Sequence, residues 1–159
     1  MQELGFVYDG EGYGAVSSDS GSYLGGIAGK SSATIQKGYT MCNVSGIDYV
    51  GGIVGSGSVI KESVSVSCIE ATGEGKGSIA GRMREDGSGS GNFFVSDGTQ
   101  GVDDISYLGV AEKVTYEEVM VMEGIPSGFN QVDITFETED GVLAERKVAY
   151  GGSIVPSEL

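Results

Sequence analysis

A glycine-rich segment recurs three times along the chain at a constant spacing. Residues 23–29 read YLGGIAG, residues 49–55 read YVGGIVG, and residues 75–81 read GKGSIAG. The recurring positions are Gly25, Gly51 and Gly77, then Ile27, Ile53 and Ile79, then Gly29, Gly55 and Gly81, which define a 26-residue period. A flexible linker would have no reason to keep such a period. The repetition therefore predicts a folded repeat structure rather than a disordered chain.

Segments of alternating polar and apolar residues lie between the glycine segments. In residues 63–69, SVSVSCI, serines alternate with valines and a cysteine, a pattern typical of β-strands. Strands that return with this period predict a mostly β fold, a short β-solenoid with about 26 residues per coil. In that fold we expect Ile27, Ile53 and Ile79 to stack in the interior. We expect the glycines to supply positive φ angles at corners and close backbone approach.

The glycine segments also resemble a known family. GIAG (residues 26–29) and GIVG (residues 52–55) each follow an aromatic residue, an apolar residue and a glycine, and they resemble GLUG repeats over residues 12–98. Such repeats occur in large secreted or surface-attached bacterial proteins, including non-catalytic regions of immunoglobulin A peptidases and adhesin-like proteins. The third copy departs from the pattern, because Ser78 replaces the second Gly and Lys76 replaces the apolar residue. The departure suggests a looser or terminal coil.

The composition changes after Gly101. TYEEVMVMEG (residues 115–124) predicts a helix of about eight residues, with Thr115 and Glu118 as a capping box and Gly124 at its end. Such a short helix is not stable alone. Because the last coil of a solenoid exposes an unpaired edge, we expect residues 105–129 to cover it.

Residues 132–156 predict two strands joined by a turn at Asp140–Gly141, followed by a Gly-Gly corner. The segment resembles the opening half of a Listeria–Bacteroides-type repeat, a small β-grasp-like module of bacterial surface proteins. The sequence thus predicts a repeat solenoid in residues 1–102, a helical cap or connector in 103–130, and a truncated β-grasp-like repeat ending in a hairpin-like segment in 131–159.

The chain is acidic, with 23 acidic and 9 basic residues and a formal net charge of −14. Such a surface repels phosphate backbones, so we expect no nucleic-acid partner. No apolar run is long enough to span a bilayer, so we expect no membrane insertion. The N-terminus lacks the basic and apolar regions of a signal peptide. We expect a monomeric fragment of a larger chain.

The sequence contains no His and no Trp. The absence of His excludes His-based triads and HExxH zinc sites. Cys42 and Cys68 are one full period apart, so a strict period would stack them at a distance compatible with a disulfide. Alignment of Tyr39 with Val64 instead gives an offset of 25 and places Cys68 opposite Asn43. The favoured alternative is that both cysteines are small residues that line the solenoid.

Acidic side chains are the remaining candidates for chemistry. The possible Ca²⁺ ligands are Asp9 with Glu11, Asp97 with Asp103 and Asp104, and Glu137 with Glu139 and Asp140. None matches an EF-hand, and solvated turn charges explain them better. Glycoside cleavage would need two carboxyl groups facing each other across a cleft, whereas these acids lie mostly in turns. We therefore predict no catalytic residue, no metal site and no cofactor.

Tyrosines offer one route to carbohydrate recognition. Tyr8, Tyr13, Tyr23, Tyr39 and Tyr49 precede or begin repeat segments, with Tyr23 equivalent to Tyr49 and Tyr13 equivalent to Tyr39 by the repeat period. Repeated aromatic residues in a solenoid are more often internal stacks than ligand surfaces. An internal stack is the prediction, and a sugar-binding surface is the alternative.

The sequence as a whole predicts a non-enzymatic module of a bacterial cell-surface protein that serves in adhesion or as a structural spacer. It would be extracellular, at the cell surface or wall, with a host or matrix protein or a glycan as its partner. One alternative is an accessory scaffold of a secreted protease or polysaccharide-degrading enzyme. The other is a glycan-binding module.

Overall fold

The computed structural model of the protein describes residues 7–96, 98–103 and 110–149. The chain divides into two compact units, Met1–Val121 and Met122–Leu159. The first unit is a parallel β-solenoid of about three turns, and the second contains an antiparallel β-hairpin. The predicted fold class, mostly β with a solenoid that repeats at the predicted spacing, is confirmed.

Parallel pairing between successive coils builds the first unit. In its described part the strands are β1 (Val7–Ser17), β2 (Leu24–Gly25), β3 (Ala28–Lys30), β4 (Thr34–Gly46), β5 (Val50–Gly51), β6 (Val54–Lys61), β7 (Val64–Val66), β8 (Cys68–Ala71), β9 (Lys76–Gly77), β10 (Ala80–Ser90), β11 (Asn92–Val95) and β12 (Ala111–Lys113). Strands β2, β5 and β9 form one three-stranded sheet. The others form a second sheet whose main path is β10–β6–β4–β7–β11–β12, with β1 and β8 beside β4 and β3 beside β6.

The glycine segments keep the predicted period. Gly25 pairs with Gly51, and Gly51 pairs with Gly77, each one repeat period further along the chain. Backbone hydrogen bonds continue this ladder through the isoleucines, from Ile27 N to Ile53 O and from Ile53 N to Ile79 O, both at 2.9 Å. The predicted isoleucine stack is therefore confirmed.

Outside the glycine segments the spacing between coils varies. Tyr39 pairs with Val64, which confirms the predicted local offset, shorter than the period by one position. Over most of the pairing between β1 and β4 the offset is instead longer than the period, so Tyr13 pairs with Met41 and Glu11 with Tyr39. The predicted equivalence of Tyr13 and Tyr39 is therefore wrong, because the turn from Ser17 to Leu24, between β1 and β2, is longer than the equivalent turn from Ser45 to Val50.

Two apolar clusters lie in the interior of the solenoid. Ile53 and Ile79 are almost fully buried in the larger cluster, and Ile27 packs against it while remaining partly exposed. The buried members of the larger cluster are Ile35, Ile53, Val54, Ile60, Ile79, Ala80, Phe94, Val102 and Ala111. Those of the smaller cluster are Cys42, Val44, Val50 and Ile69. Burial of these side chains provides the main driving force for stacking the coils.

The repeated glycines allow backbones to approach closely. A Cβ added to Gly51 would lie 2.8 Å from Gly81 N and 2.9 Å from Ala80 Cα. Positive φ angles occur elsewhere in the repeat, at Tyr23 (63°), Tyr49 (57°) and Gly75 (73°). Close approach is thus confirmed as the reason for these glycines. For the glycines that recur with the period, the expectation of positive φ is wrong, because the first position of each glycine segment carries that conformation, and only in the third copy is it a glycine, Gly75.

A buried asparagine connects strands from different coils. Asn92, which begins β11 and is 1% exposed, accepts a hydrogen bond from Ser63 N at 3.1 Å. Its amide nitrogen donates to Ile60 O and to Val110 O, both at 2.8 Å. Every polar atom of this side chain is paired, as a buried polar group requires.

A short helix follows β12. Helix α1 spans Tyr116–Met120, and Thr115 and Glu118 form the predicted capping box, with Glu118 N donating to Thr115 Oγ1 at 3.2 Å and Thr115 N to Glu118 Oε2 at 2.8 Å. The helix ends at Met120, short of Gly124, so the predicted length is wrong. Val119 is buried. Residues 104–109 of the predicted cap lie outside the described residues, and the capping role stays a prediction.

The second unit contains a 3₁₀ turn, Ser127–Asn130, and two antiparallel strands, β13 (Gln131–Thr138) and β14 (Gly141–Ala149). Thr138 pairs with Gly141 across the turn, and Thr138 Oγ1 accepts a hydrogen bond from Asp140 N at 3.3 Å. The predicted hairpin is therefore confirmed. The predicted Gly-Gly corner lies outside the described residues. Among the described helices, none has the length and apolar character needed to cross a membrane.

Candidate functional site

Two tyrosines from adjacent coils stack at one corner of the solenoid. The ring centroids of Tyr23 and Tyr49 lie 4.9 Å apart, and the ring planes differ by 28°. Both side chains are partly exposed. The strict register of the repeat and the shared positive φ direct the two rings to equivalent places, one above the other. The predicted tyrosine stack is confirmed, but it lies at the surface rather than in the interior.

A cation covers each end of this stack. Lys30 Nζ lies 3.7 Å from the centroid of the Tyr23 ring, and Arg82 Cζ lies 5.0 Å from that of the Tyr49 ring. Both distances are within the range of a cation–π interaction. Each ring therefore has one face against the other ring and the opposite face against a cation. No face of either ring is open to a ligand.

The cations belong to one row of the sheet. Lys30 pairs with Ser56, and Ser56 pairs with Arg82, so these three residues occupy the same position on successive coils. Lys30 and Arg82 are thus two strand spacings apart, or about 10 Å between their Cα atoms. The repeat itself places the two positive charges on one line parallel to the solenoid axis.

An open groove runs beside this row. Its lining consists of Tyr23, Lys30, Ser31, Ser32, Ser56, Arg82 and Arg84. Three of the nine basic residues of the chain meet here, and no carboxylate is among the lining residues. Arg84 Nε lies 3.6 Å from Asp86 Oδ1 in an exposed ion pair, which screening makes weak. We call these seven residues the basic groove.

A second groove continues from the first one and differs in charge. It is lined by Tyr49, Glu74, Gly75, Arg82, Met83, Arg84, Glu85 and Asp103. Arg82 and Arg84 therefore separate a groove without carboxylates from one that has three.

The other predicted tyrosines do not join this stack. Tyr13 is exposed and donates a hydrogen bond to Glu11 Oε2 at 3.2 Å. Partial burial, followed by the nearby Glu11 carboxylate, raises the pKa of Tyr13. Tyr39 is half-buried in β4, and burial also raises its pKa. The side chain of Tyr8 lies outside the described residues.

The two cysteines do not face each other. Cys68 pairs with Asn43, as the shorter offset predicts, and both cysteines are free thiols. Cys42 is 3% exposed within the smaller apolar cluster, and burial raises the pKa of its thiol. Cys68 is exposed. The expectation that both cysteines line the interior is therefore correct for Cys42 and wrong for Cys68.

The acidic candidates are distributed over both units. Glu11 lies in β1, as does the backbone of Asp9, whereas Glu137, Glu139 and Asp140 are exposed at the hairpin turn. Asp97 and Asp104 lie outside the described residues. In residues 7–96, 98–103 and 110–149, no three Asp, Glu, Cys or His side chains are grouped so that they could hold a metal ion.

Comparison with known proteins finds no match: no family model, no curated protein and no solved structure is similar to this chain at a significant level. The resemblances to GLUG repeats and to the Listeria–Bacteroides-type repeat stay predictions. Sequence reasoning missed Lys30 and Arg82 as site residues. The available signal was their separation by two repeats, which places them in the same row.

Proposed function

We propose that this chain is a non-catalytic module of a bacterial cell-surface protein, acting in adhesion or as a structural spacer. The observation that carries the proposal is the main-chain ladder between coils. It includes hydrogen bonds from Tyr23 N to Asp48 O at 2.8 Å, from Tyr49 N to Glu74 O at 2.7 Å, and from Ile79 N to Gly101 O at 2.8 Å. Backbone bonds of this kind do not depend on side-chain identity, so they hold coils with different surfaces at one spacing.

Such a scaffold suits display better than chemistry. Its interior contains packed apolar clusters, and its surface can vary between coils without disturbing the ladder. The extracellular location is supported by the resemblance to surface-protein repeats. A scaffold region of a secreted enzyme would share the same ladder, and no described residue favours it over the spacer.

The proposal is tested on the protein as its native cell produces it. Antibody against residues 7–121 should label intact cells, because the module lies outside. A strain lacking residues 7–121 should adhere less to its normal surface. Labelling that requires permeabilised cells, or unchanged adhesion, would contradict the proposal.

A matched strain separates the two parts of the function. Residues 7–121 are replaced with a Gly/Ser linker, whose reach depends on chain length rather than on a folded surface. Adhesion restored by the linker identifies the module as a spacer. Adhesion that stays low shows that the folded module is needed and not only its reach.

A further inference from the structure

We propose that the basic groove binds an acidic saccharide, a sugar chain that carries carboxylate or sulfate groups at intervals. The inference deepens the adhesive part of the proposed function, on which its biological meaning rests, by naming a ligand class and a site. The binding itself is a property of the folded module, so it can be measured independently of any cell.

The first argument is the concentration of positive charge. Lys30, Arg82 and Arg84 line one groove in a chain whose net charge is −14. In the described part of the chain, neither Lys30 nor Arg82 is in an ion pair. Neighbouring cations repel one another, and the attraction of an anion bound near both of them offsets that repulsion. A bound anion would supply the missing charge.

The tyrosine stack provides the second argument. Lys30 and Arg82 rest on the outer faces of the Tyr23 and Tyr49 rings, so both long side chains are held before a ligand arrives. Preorganisation lowers the entropy cost of binding. The same contacts cover the ring faces that a neutral sugar would need for stacking. The groove therefore favours recognition through charge over recognition through aromatic stacking.

The lining identifies the kind of anion. Ser31, Ser32 and Ser56 line the same groove as the cations, and hydroxyl groups both donate and accept hydrogen bonds. A peptide ligand usually relies on apolar pockets for some of its side chains, and no aliphatic residue is among the lining residues of the basic groove. Sugar hydroxyls beside separated anionic groups match it better.

The surrounding charge limits how acidic the ligand is. Glu74, Glu85 and Asp103 line the adjacent groove, and the rest of the surface is acidic as well. A polymer with a charge on every unit would be repelled as it leaves the basic groove. A chain with sparse charges avoids that repulsion, and the residues that would receive its charges, Lys30 and Arg82, lie on coils whose strands are two spacings apart.

Binding is measured by titration calorimetry on the whole chain with two probes. A hyaluronan octasaccharide carries one carboxylate per two sugars, and a keratan sulfate oligosaccharide carries sulfate alone. We expect a dissociation constant of about 1 mM or tighter for at least one of them, weakening as salt is added. The probe that binds more tightly identifies the anionic group.

Variants connect the binding to the groove. Arg82→Gln should weaken binding at least about tenfold, or about 1.4 kcal/mol. The matched control is Lys61→Gln, which removes the same charge from an exposed residue outside the groove and should change the dissociation constant less than about twofold. Equal effects of the two substitutions on the dissociation constant would contradict the assignment of binding to the basic groove.

Other probes can also overturn the proposal. A neutral chitin oligosaccharide that binds as tightly as the acidic probes would show that charge is not the basis of recognition. A glutamate oligopeptide that binds more tightly would assign the groove to acidic peptides. If neither acidic saccharide binds, the inference is wrong. The proposed function would not be affected, because the antibody and linker experiments test it separately.

Discussion

At the scale of residues, the repeat imposes two different demands on the backbone. Gly51 is required because neighbouring coils leave no room for a Cβ atom, whereas Tyr23 and Tyr49 adopt a left-handed conformation that costs an L-residue about 1–2 kcal/mol. The ring stack and the cations on it offset part of that cost. The sequence predicts the glycine positions from their period. It does not distinguish crowding from positive φ, because both demands select glycine.

The crowding makes Gly51 a position for a sharp test. Gly51→Ala should lower the free energy of unfolding by about 3 kcal/mol, because the Cβ would meet backbone atoms of Val54, Ala80 and Gly81 that have nowhere to move. The measurement is urea denaturation followed by circular dichroism.

The control for this substitution is Gly98→Ala, where an added Cβ meets nothing within 4 Å. It should change the free energy of unfolding by less than about 0.5 kcal/mol. If both variants lose the same stability, steric crowding between coils is not the reason for the repeated glycine.

At the scale of elements, Asn92 determines how β11 joins its neighbours. Its side chain bonds to Ser63 N, Ile60 O and Val110 O, so one residue links β11 to segments before and after it in the chain. The sequence predicts a strand beginning at this position. It does not predict the linking role, because an asparagine between a glycine and a strand is also typical of a turn.

Asn92→Asp should produce stability that depends on pH. Above its folded pKa, the introduced carboxylate would face two carbonyl oxygens and cost about 3–5 kcal/mol. Burial and these oxygens raise that folded pKa above the unfolded value of about 3.9. The decrease in the free energy of unfolding is therefore complete above the folded pKa. It becomes smaller as the pH falls through the folded pKa, because the protonated group can donate to one carbonyl. Urea midpoints measured between pH 4 and pH 8 check this sign.

Asn43→Asp is the matched control, since Asn43 is exposed in β4. The same chemical change there should alter stability by less than about 0.5 kcal/mol. A loss for Asn92→Asp that is independent of pH, or equal to that of the control, would contradict the assigned hydrogen bonds.

At the scale of the whole molecule, the coils form a series in which each one contacts mainly its neighbours. The period, the solenoid and the hairpin are predictable because they rest on repeated local patterns. The longer offset between β1 and β4 is not, because it depends on the length and path of one turn. The basic groove was also missed, because its charges are far apart in the sequence and meet only through the register of three coils.

Both cysteines lie in the first unit, so thiol labelling reports on that unit alone. At pH 7, N-ethylmaleimide should modify exposed Cys68 rapidly. Cys42 should react at least about 100-fold more slowly, because it is buried and burial raises the pKa of its thiol. Since the ladders couple the coils, protection of Cys42 should disappear at the same urea concentration as the β signal in circular dichroism.

Mass spectrometry of the labelled peptides gives the two rates separately. Protein unfolded in concentrated urea is the reference, in which the two thiols should react at similar rates. Rapid labelling of Cys42 in the native protein, or labelling at much lower urea than the loss of β structure, would show that the coils open independently.

The ladder from Gly25 through Gly51 to Gly77 has a consequence for how such a chain can lengthen. Each coil offers on one side the same backbone donors and acceptors that it uses on the other. A duplication of the DNA that encodes one whole period therefore adds a coil that fits both of its neighbours at once, whereas a duplication that is not a whole number of periods misplaces every glycine beyond it. Addition of whole coils also preserves the row of Lys30, Ser56 and Arg82. Each added coil extends this row by one surface position, at which a different residue can occur.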